Sequence, residues 1–203
     1  MIVFADDHMI VAGKPAGLLS VPGRAEDNKD CLVVRLQAQF ADALTVHRLD
    51  MATSGLMVFA RGAEAHRALS RAFAERQVAK RYLAVVAGAA PDAGEIDFPL
   101  ICDWPNRPRQ MVSHEHGKPS LTRFRTVARG EGTSRLELEP VTGRSHQLRV
   151  HMAQIGHSIL GDPFYAPLEI ASAAPRLLLH ACRLEVPHPA TGEMMAFQSE
   201  APF

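Results

Sequence analysis

Short apolar runs separated by turn residues dominate the hydrophobic pattern of this chain. Each run has the length of a strand rather than of a long helix. The segment Arg135–Glu139 alternates strictly between charged residues and leucine, which is typical of a strand with one exposed face. The predicted strands are Ile2–Phe4 and Met9–Ala12 (a hairpin turning at Asp6-Asp7), Leu56–Ala60, Arg81–Val86, Arg135–Glu139, and a closing hairpin of Arg183–Val186 and Met195–Gln198.

Three segments have a helical period instead. Ala63–Gln77 places its apolar residues on one stripe and its arginines on other faces, Cys31–Phe40 repeats apolar residues at intervals of four, and Ser145–Ile155 ends before Gly156. Paired strands with a few interspersed helices predict an α+β fold with a mixed or antiparallel sheet.

Composition places the chain among ordinary globular proteins. Its 203 residues are 47% hydrophobic and 22% charged, and no stretch approaches the roughly 20 apolar residues of a membrane span. The N-terminus lacks the basic region of a signal peptide. The three cysteines, Cys31, Cys102 and Cys182, are distant from one another and odd in number, which predicts thiols in the cytoplasm rather than a disulfide framework or a zinc site.

The charge balance is unusual for a nucleic-acid binder, which is expected to be basic. Lys+Arg and Asp+Glu both number 22, but the segment Arg71–Arg149 holds 13 basic and 9 acidic residues. Charge alone therefore leaves two equal alternatives: a local basic face, or charges scattered over a solvated surface.

Candidate chemistry is concentrated in His47–Gly55, Lys80–Tyr82 and Thr142–His151. Taken singly, each residue has an ordinary structural explanation. Asp50 fits a turn, Tyr82 fits a strand core, and Arg149 fits the surface of a helix.

The combination of these residue types is more informative. A carboxylate nucleophile must stay ionised and oriented, and a neighbouring guanidinium does both. An aromatic ring can stack on a nucleobase, and arginines can bind phosphates. These residues therefore suit carboxylate catalysis on a nucleic acid.

Five blocks, in order and with matching spacing, resemble the RluA family of pseudouridine synthases. Three belong to the whole family: HRLDMATSGLMVFA at 47–60, KRYLAVV at 80–86 and PVTGRSHQLRVHMAQIGHSILGD at 140–162. Two resemble its short dual-specificity branch: KPAGLLSVPGR at 14–24 and PLICDWPNRPRQ at 99–110. The resemblance implies the family's α+β catalytic fold, a central mixed, mainly antiparallel sheet with helices and loops around a cleft, as one domain over residues 1–203 without an S4 domain.

The resemblance also implies roles for individual residues. Asp50 would be the catalytic nucleophile, Tyr82 would stack on the target uracil and abstract a proton, and Arg149 would form an ion pair that positions Asp50. Residues implied to bind the substrate RNA are Arg48, which would enter the space left by the flipped uridine, Leu148, which would pack against it, and His47, Arg144, Lys80, Arg107 and Arg109. For His47 and Arg144 the resemblance implies either an architectural role or contact with a phosphate.

The implied reaction detaches uracil from ribose at N1 and rejoins it through C5, without a cofactor. The implied partners are tRNA, at the first uridine of the anticodon loop, and a hairpin loop of 23S ribosomal RNA. A compact domain without an obvious apolar patch predicts a monomer, and the absence of a membrane span predicts no membrane partner. No metal is expected, since His114-Glu115-His116 lacks further ligands.

Other classes of function fit the sequence less well. A non-catalytic RNA-binding or RNA-folding module would have this fold, but the neutral charge and the intact Asp50, Tyr82 and Arg149 weigh against it. A kinase is disfavoured because Leu49 interrupts the His-Arg-Asp order, and a glycosidase because no motif supplies a second carboxylate.

Overall fold

The computed structural model describes residues 1–23 and 29–203. Arg24, the last residue of the block at 14–24, lies outside the described residues. The elements are β1 (Ile2–Ala5), β2 (Met9–Lys14), α1 (Leu32–Gln37), β3 (Ala43–Thr45), β4 (Ser54–Arg61), α2 (Gly62–Ala74), β5 (Ala79–Ala87), β6 (Ala93–Asp97), β7 (Leu100–Cys102), β8 (Gln110–Val112), β9 (Leu121–Gly130), β10 (Thr133–Pro140), α3 (Gln147–Gln154), α4 (Leu168–Ala171), β11 (Leu179–Pro187) and β12 (Met194–Gln198).

The chain divides into two compact units. The first comprises Met1–Lys80 and Ala181–Pro202, and the second comprises Arg81–His180 and Phe203. None of the helices in the described part of the chain has the length and hydropathy needed to cross a bilayer.

The first unit is built on the strand order β1-β2-β4-β11. β2 pairs antiparallel with β1 and β4, β3 pairs with β4, and β12 pairs with β11. The apolar runs in β2 and β4 are buried along nearly their whole length, as expected of central strands. Helix α2 packs its small and apolar stripe (Ala65, Leu69 and Ala72) on a core that includes Met9, Val11, Leu56, Val58, Leu184 and Val186.

The second unit is built on the strand order β5-β10-β9-β6, with antiparallel pairing at each step. Along β10, alternate residues are buried, and the predicted half-exposed strand is confirmed. Strands β7 and β8 form a separate hairpin in the same unit.

Every strand and helix predicted from the hydrophobic pattern is present, so the predicted α+β class is confirmed. All three predicted helices differ from the prediction at their ends, and α1 covers Leu32–Gln37 rather than Cys31–Phe40. α2 ends at Ala74 rather than Gln77, and Arg76 then adopts a left-handed conformation with φ 58°. α3 begins at Gln147 rather than Ser145, because His146 is left-handed with φ 53° and cannot be part of the helix.

Candidate active site

The loop that carries Asp50 is held by hydrogen bonds to its main chain. The Ser20 hydroxyl donates to the Leu49 carbonyl at 2.7 Å and accepts from the Leu49 N–H at 3.1 Å. The Thr53 N–H donates to the Asp50 carbonyl at 3.1 Å. The Asp50 side chain is half-buried and the adjacent Arg48 is exposed, so this loop presents a carboxylate and a cation from a fixed backbone.

A buried lysine fixes the other side of the same loop. Lys14 is 2% exposed, and its ammonium group donates to the carbonyls of Pro15, Leu18 and Met51 at 2.9, 2.7 and 3.0 Å. The Gly17 N–H also donates to Met51, at 2.8 Å. The KPAGLLS segment and the residue after Asp50 are therefore joined through one buried charge, whose burial is offset by three charge-assisted hydrogen bonds.

His47, three residues before Asp50, has a neutral imidazole that packs within the first unit. Its Nε2 accepts the Val58 N–H at 3.0 Å, and its ring stacks on Phe73 with centroids 4.7 Å apart. Burial, assisted by the charge of Lys80, lowers the pKa of His47 to about 3. A neutral imidazole has no charge for a phosphate, and the contacts therefore support the architectural role among the two implied for His47.

Lys80 lies beside this aromatic pair. Its ammonium group is 6.0 Å from the Phe73 ring centroid, and burial lowers its pKa. The side chain is half-buried, which limits the surface that it offers to RNA.

Tyr82 lies on β5 in the second unit. It is 8% exposed and sits opposite Leu138 of β10. Tyr82, Ala84 and Val86 form the buried face of β5, because alternate residues of a strand point to the same side. The strand therefore holds the Tyr82 ring in a fixed, largely buried position.

Helix α3 is anchored at its first residue by a fully bonded amide. Gln147 donates to the Leu121 carbonyl at 2.9 Å and the Thr122 hydroxyl at 3.0 Å. Its carbonyl oxygen accepts from the Thr142 hydroxyl at 2.7 Å and the Arg144 N–H at 3.0 Å. Both donors and both acceptor positions of the side chain are used, which fixes the start of the helix that carries Leu148 and Arg149.

One turn later, His151 anchors the same helix. It is fully buried, with Nδ1 2.9 Å from the Thr122 hydroxyl and Nε2 3.0 Å from the Phe98 carbonyl. Burial lowers its pKa. Gln147 and His151, four residues apart on one face, together tie α3 to the start of β9.

Arg149 is not the surface arginine that its helical position alone suggested. It is 2% exposed, and its Nε and Nη2 donate to the two oxygens of Asp162 at 2.8 and 2.7 Å. The rings of Phe164 and Tyr165 each lie with their centroid 5.2 Å from the guanidinium carbon. The segment 162–165 thus encloses Arg149 with one carboxylate and two aromatic rings.

Gly161 allows this segment to reach Arg149. Its φ is +75°, and a Cβ at this position would lie 1.9 Å from the Arg176 carbonyl oxygen. Only glycine fits such a close approach. The glycine of the ILGD motif therefore places Asp162.

The Tyr165 hydroxyl connects two further parts of the second unit. It accepts the Gln110 N–H at 2.8 Å, and a hydrogen bond of 2.6 Å joins it to Nδ1 of His146. The Arg109 guanidinium lies 5.8 Å from the centroid of the Phe164 ring. The β7–β8 hairpin and His146, the residue before α3, therefore both contact the two aromatic residues, Phe164 and Tyr165, that lie beside Arg149.

The remaining residues predicted to bind RNA are placed differently from one another. Arg107, Arg109 and Arg144 are exposed, whereas Leu148 is only 6% exposed. The Arg144 Nε donates to the Pro119 carbonyl at 3.3 Å.

Sequence reasoning missed the supporting residues Asp162, Tyr165 and Gln147. Asp162 ends a block that carries the family resemblance, so its position was visible. Its pairing with Arg149 was not.

Four arginines between residues 71 and 149 form ion pairs with carboxylates of the same segment. The pairs are Arg81–Glu139 at 3.2 Å, Arg123–Glu95 at 2.7 Å, Arg125–Glu137 at 2.9 Å and Arg129–Asp92 at 2.6 Å. Within residues 1–23 and 29–203, Arg107 and Arg109 have no carboxylate partner and lie over aromatic rings instead. The loop of the β7–β8 hairpin therefore presents two arginines whose charge no carboxylate of the described residues offsets directly.

Comparison with known proteins identifies the family. The profile of the RNA pseudouridylate synthase family matches residues 8–154. The Dual-specificity RNA pseudouridine synthase RluA of Escherichia coli (strain K12) is 53% identical over 205 residues, covering 100% of this chain and 94% of that protein. The protein of the same name from Yersinia pestis is 52% identical and covers 100% of both chains. The solved structure of Human RNA Pseudouridylate Synthase Domain Containing 1 has a TM-score of 0.84 at 28% identity, covering 100% of this chain and 83% of that one.

The chain belongs to the RNA pseudouridylate synthase family, within its RluA group. It is an RNA-modifying isomerase that converts uridine to pseudouridine, and the predicted family, fold and enzyme class are confirmed.

Proposed function

We propose that this enzyme modifies uridines in two RNAs, the first uridine of the anticodon loop in tRNA and a hairpin-loop uridine in 23S ribosomal RNA, with Asp50 as nucleophile. The rigid display of Asp50 carries the proposal, since hydrogen bonds hold the main chain at Leu49, Asp50 and Met51. Full-length relatives at 52–53% identity are named dual-specificity enzymes, which supports two substrates.

In the proposed reaction, the target uridine leaves its stack, at a cost of a few kcal/mol, and Arg48 enters the space that it vacates. Asp50 forms a covalent bond with the nucleotide and the bond between N1 and the ribose breaks. The uracil rotates and C5 bonds to the ribose carbon that N1 has left, while the bond between Asp50 and the nucleotide breaks and restores the free carboxylate. Tyr82 takes the proton from C5, and N1 gains one, so atoms balance without a cofactor.

Arg149 completes the proposed catalytic group as the cation that keeps Asp50 ionised. Its bidentate pair with Asp162 fixes two of its three nitrogens, which orients the guanidinium as the role requires. Leu148, on the adjacent position of α3, is proposed to pack against the flipped base. Arg144 is proposed to contact RNA from the turn before the helix.

Location and assembly belong to the same proposal. We propose a cytoplasmic monomer with one catalytic domain over residues 1–203. The thiol state of Cys31, Cys102 and Cys182 supports a reducing compartment.

Tritium release from RNA labelled at C5 of uridine tests the proposal, with an anticodon stem-loop and a 23S hairpin assayed separately. Wild-type protein is expected to release tritium from both. Asp50→Asn is expected to release none while its Kd for RNA stays within about threefold. The matched control is Asp7→Asn, because the Asp7 side chain is 98% exposed in the same unit.

Each outcome is informative. Release by Asp50→Asn would disprove the assignment of the nucleophile. Release from one RNA alone would disprove dual specificity. Binding of both RNAs without release by the wild-type protein would favour an RNA-folding module on this fold.

A further inference from the structure

The loop between β7 and β8 presents the chain's single tryptophan to solvent. Trp104 is 65% exposed, and the guanidinium of Arg107 lies 4.7 Å from its ring centroid. A lone exposed apolar residue is ordinary on a protein surface. Three further observations distinguish this one.

The loop is held in one conformation by its own hydrogen bonds. The Asp103 N–H donates to the Arg109 carbonyl at 3.0 Å, and the Arg109 N–H donates to Asn106 at 3.1 Å. The Asn106 amide donates to both oxygens of Asp103, at 3.2 and 3.0 Å. Pro105 and Pro108 restrict the backbone further. The indole is therefore displayed from a preorganised support, which lowers the entropy lost when a ligand binds it.

The surroundings of the indole are positively charged. Arg107 and Arg109 have no carboxylate partner in the described part of the chain. The nearby Asp103 carboxylate accepts from the Asn106 amide and keeps its charge, so one aspartate and two arginines leave the loop with a net positive charge. An aromatic surface beside two available guanidinium groups is the arrangement that single-stranded nucleic acid requires, with the ring for a base and the cations for its phosphates.

The loop is also connected to the proposed active site within the second unit. Arg109 and Arg149 both contact the Phe164 ring, at 5.8 and 5.2 Å. Gln110, directly after the loop, donates to the Tyr165 hydroxyl. The loop is therefore linked through Phe164 and Tyr165 to the side chain of Arg149, the residue proposed to act on Asp50.

We propose that Trp104 and Arg107 form a binding site for an unpaired base of the substrate RNA, separate from the site of the reacting uridine. The base stacks on the indole, and its phosphates contact Arg107 and Arg109. Duplex RNA does not bind there, because its bases are already stacked on one another. The ligand's identity as substrate RNA rests on the proposed function.

The single tryptophan makes its own fluorescence the direct test. The Asp50→Asn variant is titrated with an anticodon stem-loop, and Trp104 emission is expected to fall by more than half at saturation. A fully paired duplex of equal length is expected to change the emission by less than one-tenth. No fall with the stem-loop, or an equal fall with the duplex, would overturn the proposal.

Steady-state kinetics provide an independent measurement on the otherwise native enzyme. Trp104→Ala is expected to raise KM for the stem-loop about tenfold to a hundredfold, the loss expected of one base–aromatic stack, with kcat within twofold. Trp104→Phe keeps a smaller aromatic ring, and its KM is expected to lie between those of the wild-type enzyme and Trp104→Ala. Leu168→Ala is the matched control, since Leu168 is 83% exposed in the same unit. A wild-type KM for Trp104→Ala would overturn the site.

These results separate the site from the proposed function. Quenching without tritium release by the wild-type enzyme would leave the base-binding site in place and refute the reaction on this RNA. Tritium release without quenching would support the reaction on this RNA and refute the base-binding site at Trp104.

Discussion

Asp162 binds the guanidinium of Arg149 through two parallel hydrogen bonds, and the two side chains are only 1% and 2% exposed. Such a pair contributes little net stability compared with an apolar pair of the same shape, but removing one partner leaves an uncompensated charge in the interior. The ion pair therefore serves mainly to orient the Arg149 guanidinium, and removing one partner lowers the stability of the fold.

We expect Asp162→Asn to lower the free energy of unfolding by about 3–5 kcal/mol, because the buried guanidinium loses the carboxylate charge that binds it. Urea denaturation measures the change. The control is Glu95→Gln, which breaks the Arg123–Glu95 pair; with side chains 53% and 57% exposed, that pair is worth at most about 1 kcal/mol. Equal losses in the two variants would contradict this account.

The two functions of Tyr165 can be separated by substitution. Tyr165→Phe keeps the ring beside Arg149 but removes the hydroxyl that bonds Gln110 and His146. We expect it to raise KM for RNA about three- to tenfold, because two hydrogen bonds that hold the β7–β8 hairpin and His146 are lost, with kcat within twofold. Tyr165→Leu removes the ring as well and is expected to lower kcat at least about tenfold.

Single-turnover tritium release at saturating RNA measures the kcat part of this prediction. A fall in kcat for Tyr165→Phe as large as that for Tyr165→Leu would show that the ring does not act separately from the hydroxyl.

The buried ammonium group of Lys14 holds the loop that carries Asp50 through hydrogen bonds to main-chain carbonyls. We expect Lys14→Met to lower the free energy of unfolding by at least about 2 kcal/mol, because the carbonyls of Pro15, Leu18 and Met51 lose their donor. The kcat should fall with it, as the loop loses its anchor. Lys118→Met, at an exposed position, should change stability by less than about 0.5 kcal/mol. Wild-type stability and kcat for Lys14→Met would refute the supporting role.

The neutral His47 makes stability depend on pH. Its pKa is about 3 in the folded protein against 6.5 as the ordinary value, so between these values the unfolded chain binds a proton that the folded chain does not. Stability is then highest above pH 6.5 and falls as the pH drops through this window. From pH 7.5 to pH 5 we expect His47 to contribute a loss of about 1–2 kcal/mol.

His47→Gln tests the assignment, because its amide oxygen can accept the Val58 N–H without titrating. Denaturation at pH 7.5 and at pH 5 should show a smaller loss in the variant than in the wild type. An unchanged pH dependence would place the titrating group elsewhere, with the buried His151 as the next candidate.

Strong periodicity explains which elements the sequence reveals. In α2 the apolar stripe matches the helical repeat, and in β10 leucine alternates with charge, so both are visible without any partner. Strand β9 was not predicted, because its arginines obscure the alternation in which Thr122 and Phe124 face inward. Those arginines find acidic partners on β6 and β10, and a single segment cannot reveal such partners.

Helix α3 shows the same limit at the site. All residues from Gln147 to Met152 are buried, although three of the six are polar. The family motif identified Arg149 as functional, but most of the partners that let polar residues be buried, including those of Arg149 and His151, come from 13 to 53 positions away. The hydrophobic period along the helix contains no information about them, which is why Asp162 and Tyr165 became apparent only in the structure.

The bonds around Asp50 also determine which molecule must deform. Hydrogen bonds hold the main chain at Leu49, Met51 and Thr53, and Lys14 joins this loop to a second one. The backbone that carries the nucleophile is therefore rigid. In the proposed reaction the conformational change must then occur in the RNA, whose loop has to unstack and bend until a uridine reaches the carboxylate. Two RNAs of different origin become equivalent substrates when their loops can adopt the same conformation at a similar cost in free energy. Selectivity then depends on the deformability of the loop as much as on its sequence.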